Sequence, residues 1–188
     1  MQPVDNQHSF DDLASILAQE ITNLQIERTE QKEQQKQAKI DDQYRTNVLR
    51  KKTFEMFDFL SLTFEKIISQ LKAKNENCKK NCFFFKDSKK TQEFSLRYGT
   101  LYLYVEIKNH GKIFLTFGIP EKQPHALYNW TLRGLFHEEQ HIVKWYLFNM
   151  KDQVSPDFLI TNPSEVVQFF LKEMLVNQEQ YLTRPHSL

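Results

Sequence analysis

Apolar residues fall into three regimes along this chain. Phe10, Leu13, Leu17, Ile21 and Leu24 recur at spacings of three and four, with Ile16 beside them. Ser9, with Asp12 three residues on, is the predicted start of a helix whose first turn favours a carboxylate. This seam covers about two heptads, enough to pack on something and too short for a coiled coil of its own. From Gln25 to Asn47 the apolar pattern fades to Ile26, Ala38, Ile40 and Tyr44. Gln, Glu, Lys and Arg are good helix formers, so the stretch reads as a solvated helical arm, with disorder as the alternative.

From Val48 to Leu71 the apolar residues return on much of the circumference, which predicts the main core helix. Lys72–Lys90 ends it and reads as a loop, with a strand start as the reading of Phe83–Phe85. Residues 93–118 predict a β-meander. Phe94, Leu96 and Tyr98 alternate before Gly99, and Leu101, Leu103, Val105 and Ile107 alternate after it. Asn109-His110-Gly111 is a turn signal ahead of Ile113, Leu115 and Phe117. Tyr102, Tyr104 and Phe114 make the second face apolar too, so that face is either covered or turned to a partner. Two closing helices are predicted, one over about 131–150. The second has Asn162 as N-cap, Pro163 at the first helical position, Glu165 three after the cap, and a stripe of Val166, Val167, Phe170, Leu171 and Met174.

Composition sharpens this picture. All four glycines lie at or after position 99, and no proline occurs between Pro3 and Pro120, so nothing in the first half breaks a helix. The 16 Phe, with seven Tyr and two Trp, predict a core built on rings. A net charge of +1 argues against a bulk polyanion binder and leaves a local basic patch open. No segment has the length of an apolar membrane span, and the polar start does not read as a signal peptide. Two cysteines make no disulfide framework, so the expected location is cytoplasmic.

Candidate chemistry is thin. His137-Glu138-Glu139-Gln140-His141 matches H-E-x-x-H, in which two His one turn apart hold zinc and the Glu activates water, with Glu165 as a conceivable third ligand. On a 131–150 helix, however, both His would face away from the apolar stripe, and Glu165 already serves a capping box. Cys78-x₃-Cys82 and His137-x₃-His141 each have half-site spacing for a tetrahedral zinc, against the plainer reading of reduced cysteines and exposed histidines. Glu139 would sit inside the stripe, needing a partner such as Arg97 or a tyrosine hydroxyl. Lys72, Lys74, Lys79, Lys80, Lys86, Lys89 and Lys90 surround Phe83–Phe85, a pattern suited to single-stranded nucleic acid but also to a solvated loop. Four dispersed glycines exclude a nucleotide-binding glycine loop.

The expectation is therefore an α+β protein: a polar helical arm over 1–47, then a compact domain over 48–188 with three or four antiparallel strands and two C-terminal helices. Its expected role is non-enzymatic interaction or regulation, by self-association or with a protein partner, through Phe10, Leu13, Leu17, Ile21 and Leu24. A nucleic-acid binder using 72–90 is the alternative, and a zinc hydrolase using HEEQH the remote one. No cofactor is expected.

Overall fold

The computed structural model describes residues 7–86, 92–119, 127–149 and 158–179, apart from the side chains of 7–12, 127 and 158. The chain divides into two units, Met1–Arg45 and Thr46–Leu188. A single helix, α1 (Gln7–Lys74), runs from the first unit into the second. With no Gly or Pro inside it, nothing interrupts the hydrogen-bond ladder. In the first unit the helix carries local side-chain hydrogen bonds. Gln37 Nε2 donates to Asp41 Oδ1 at 2.9 Å, and Thr22 and Thr29 hydroxyls donate to carbonyls one turn back.

In the second unit the same helix acquires a buried stripe. Thr53, Met56, Phe57, Leu60, Ser61, Phe64 and Ile68 are buried, at the three- and four-residue spacing of one helix face. That face lies on a seven-stranded antiparallel meander in the simple order β1 to β7. The strands are β1 (Cys82–Phe85), β2 (Glu93–Tyr98), β3 (Leu101–Asn109), β4 (Lys112–Gly118), β5 (Leu127–His137), β6 (Ile142–Asn149) and β7 (Phe158–Ile160). Between α1 and β1 sits the short helix α2 (Glu76–Asn81), capped by Asn75, whose side chain accepts the N–H groups of Asn77 and Cys78. One helix, α3 (Ser164–Leu175), follows the sheet among the described residues.

Register shows how the core forms. Leu103 pairs with Phe117, Val105 with Leu115 and Ile113 with Leu132, and Leu132 in turn with Leu147, so one face is continuously apolar. The described residues of α1 and α3 that bury themselves do so on this face. Phe57 and Phe64 meet Phe94 at ring distances of 5.3 and 5.8 Å, while Phe170 meets Phe117 and Trp130 at 6.3 and 6.1 Å. Helix and sheet are also joined by a polar contact. Gly111, at φ +81° in the β3–β4 turn, donates its N–H to the buried Thr53 hydroxyl at 2.7 Å. A Cβ on Gly111 would lie 3.2 Å from the Gly134 carbonyl, so close approach as well as φ requires glycine there.

The meander over 93–118 and the buried stripe of α3 lie where the pattern predicts them. Asn162 Oδ1 accepts the Ser164 N–H at 3.0 Å, starting α3, while the Glu165 carboxylate is taken by the Thr161 hydroxyl. Three expectations are corrected. Seven strands are present rather than three or four. The predicted 131–150 helix is instead the hairpin β5–β6, because the apolar positions that mimic a helical stripe belong to both faces of two strands. Lys72–Lys90 is not a plain loop: it contains the end of α1, all of α2 and β1, with 87–91 outside the described residues.

Candidate functional site

The first candidate is the N-terminal seam. Leu13, Ile16, Leu17, Ile21 and Leu24 are 48–56% exposed. At 100° per residue they share an arc of about 140° of the helix surface. Every described side chain from 13 to 47 is exposed, so this arc is the one concentrated apolar feature of the stretch. Phe10 is helical, with its side chain outside the described residues.

The second is the sheet face turned away from α1 and α3. Alternation along each strand places on it Phe83 and Phe85 of β1, Arg97 of β2, Tyr102 and Tyr104 of β3, and Phe114 of β4. Arg133, Tyr146 and Phe148 continue it on β5 and β6. Phe83 and Phe85 are 41% and 53% exposed and stack at 6.1 Å. The Lys72 ammonium sits 5.3 Å over the Phe83 ring, and the Arg133 guanidinium 4.9 Å over Phe148. Tyr104 donates its hydroxyl hydrogen to Glu93, and burial, aided by that bond, holds its proton above the usual phenol range. Among the lysines of 72–90, Lys79 reaches Glu76 at 3.5 Å and Lys86 reaches Asp58 at 3.9 Å. Lys74 and Lys80 are exposed, and Lys89 and Lys90 lie outside the described residues.

The proposed metal ligands are not brought together. His137 ends β5 and His141, at φ +49°, lies in the β5–β6 turn, so the helical geometry that puts two His on one face is lost. Cys78 and Cys82 are buried beside β2, and β1 is four strands from β5, about 19 Å at ordinary strand spacing. No cluster of three or more His, Cys, Asp or Glu suited to a metal occurs among the described residues. Burial, then the contact with Cys78, pushes the Cys82 thiol up to about 12, which leaves it a poor nucleophile at neutral pH. Glu139, expected within an apolar stripe, is exposed in the turn and needs no buried partner.

Around the HEEQH turn the surface forms an open polar hollow lined by His137, Glu138, Glu139 and Lys144. A smaller apolar hollow of about 220 Å³ lies between β7 and α3, against Leu147, Ile160, Val166 and Phe169. That volume is below the range of roughly 300–1,000 Å³ usual for small-molecule sites. No helix among the described residues is long and apolar enough to cross a membrane. Sequence reasoning found the seam and noticed that Tyr102, Tyr104 and Phe114 share a face. It missed Arg133, Tyr146 and Phe148, which a strand reading of 127–149 would have placed beside them. Comparison with protein-family models, curated proteins and solved structures finds no match to this chain.

Proposed function

We propose that this protein is a non-enzymatic interaction or regulatory protein that associates through the seam in residues 9–24 of its N-terminal helix, in the simplest case with a second copy of itself. The observation that supports this is the half exposure of Leu13, Ile16, Leu17, Ile21 and Leu24 on one arc of an uninterrupted helix. A lone solvated helix gains only a few tenths of a kcal/mol per pair from apolar residues at that spacing, whereas pairing two such arcs removes both from water. Residues 25–47, polar all round, then act as a spacer. Molar mass by light scattering after gel filtration is the test. The wild type is expected as a dimer or higher species, and Leu13→Asp with Leu17→Asp as a monomer with an unchanged melting temperature. A wild type that stays monomeric at about 100 μM overturns the self-associating form of the proposal.

A second reading, binding of single-stranded nucleic acid near the 72–90 segment, is favoured by one observation. Phe83 and Phe85 stack in the open with Lys72 over the Phe83 ring, where a strand rich in Phe would ordinarily bury its rings.

A further inference from the structure

We infer that the sheet face opposite α1 and α3 is a binding platform for single-stranded nucleic acid, with Phe83 and Phe85 at its edge rather than forming the site alone. The inference rests on the second reading above and extends the contact from the basic segment onto the sheet.

Three features carry it. Rings occur on this face in every strand from β1 to β6 except β2 and β5. Those two carry basic residues on the same face, Arg97 beside Phe83 and Tyr102, and Arg133 beside Tyr146. Rings offer stacking surfaces to any base, and the interleaved guanidinium groups offer charge and donors to phosphates. The charge is also complementary. Lys112 and Lys144 lie on the same face, at positions paired with Arg133 and Leu135. The carboxylates there are occupied, Glu93 by the Tyr104 hydroxyl and Glu106 by the Lys108 ammonium at 2.8 Å. Finally, Arg133 Nε is shielded from solvent yet has no hydrogen-bond partner among the described residues, so a donor on this face is unmatched. Six strands at ordinary spacing span about 24 Å, room for several nucleotides in extended form. A purely apolar protein partner would leave the four cations on this face uncompensated, which is why nucleic acid is favoured over it.

Fluorescence anisotropy of the full chain with labelled single-stranded RNA and DNA, about 12 nucleotides long and equal in sequence, tests this. The expected result is binding that weakens steeply between 50 and 200 mM salt, through release of the counterions held by the phosphates. Arg97→Glu with Lys112→Glu should weaken binding at least tenfold, and Tyr102→Ala about tenfold, while Tyr102→Phe keeps it. Melting curves on each variant separate lost binding from lost fold, and Arg97, being exposed, is the safest position to change. Tighter binding of RNA than of DNA identifies RNA as the ligand, and the reverse identifies DNA. If Lys79→Glu with Lys80→Glu abolishes binding and the face variants do not, the platform is overturned while the segment reading survives. If neither strand binds at 50 mM salt, both are overturned, and a protein occupant of the face takes their place.

Discussion

The two halves of α1 share one backbone and little else. From residue 13 to 47 every described side chain is exposed, and from Gln25 on the residues are mostly Gln, Glu, Lys, Arg and Asp. From Val48 onward the helix carries seven buried side chains on one face, among them Phe57, Leu60 and Phe64 at 0% exposure. The first half is helical because its residues have good intrinsic propensity and nothing breaks the ladder, each position contributing a few tenths of a kcal/mol. The second half is helical because a sheet holds it. Propensity can extend a helix, but tertiary packing is what makes it costly to unfold.

This contrast is broken most severely by removing a ring from the packed half. Phe64→Ala, which empties the contact with Phe94, is expected to cost about 3–5 kcal/mol of stability in urea unfolding. Leu17→Ala, a truncation at a half-exposed site on the same helix, should change the unfolding of the monomeric protein by less than about 0.5 kcal/mol. Equal effects would mean that the seam is buried in solution.

A smaller effect separates packing from the polar anchor. Thr53 donates to the Leu49 carbonyl at 2.6 Å and accepts the Gly111 N–H at 2.7 Å, both away from solvent. Thr53→Val keeps the shape and strands the Gly111 donor, at an expected cost of about 1–3 kcal/mol. Thr53→Ser should recover most of it. If Val is tolerated without loss, the turn has found another acceptor, and the helix is held by apolar contact alone.

Legibility in the sequence follows the strength of local signals. The β2–β4 meander was readable because Gly99 and Asn109-His110-Gly111 punctuate clean alternation, and α3 because Asn162-Pro163 marks its start. The β5–β6 hairpin was not. Its turn is Glu138 to His141, with no Gly, Asn or Pro, and it is closed by a histidine at φ +49°, a conformation few side chains adopt. Apolar residues on both faces of these strands then imitate a helical period: Leu132 and Leu147 are buried toward α3 while Leu135 is 48% exposed on the other side. That misreading also created the apparent helical HEEQH and the apparent buried Glu139. On the seam the sequence was clear about which residues share a face, since that depends on spacing alone. Whether a second surface covers them does not depend on spacing. The open sheet face was visible only in part, because Arg133, Tyr146 and Phe148 lie on the two misread strands.

A further effect lies within the packed half itself and has the opposite sign. Ser61 is fully buried beneath the sheet, and its hydroxyl has no hydrogen-bond partner among the described residues. A hydroxyl taken out of water without a partner costs about 1–3 kcal/mol, while the small volume it fills is worth less. Ser61→Ala removes the polar atom, leaves a space too small to hold water, and improves helix propensity at that position by a few tenths of a kcal/mol. The variant is therefore expected to be about 1 kcal/mol more stable than the wild type, measured as a higher denaturation midpoint with an unchanged slope. A loss of stability would show that the hydroxyl does find a partner in solution, the carbonyl of Phe57 one turn back being the nearest in sequence. The packed face of α1 would then hold two buried hydroxyls, Thr53 and Ser61, bonded to carbonyls one turn back, where the matching bonds of the arm, from Thr22 and Thr29, lie in solvent.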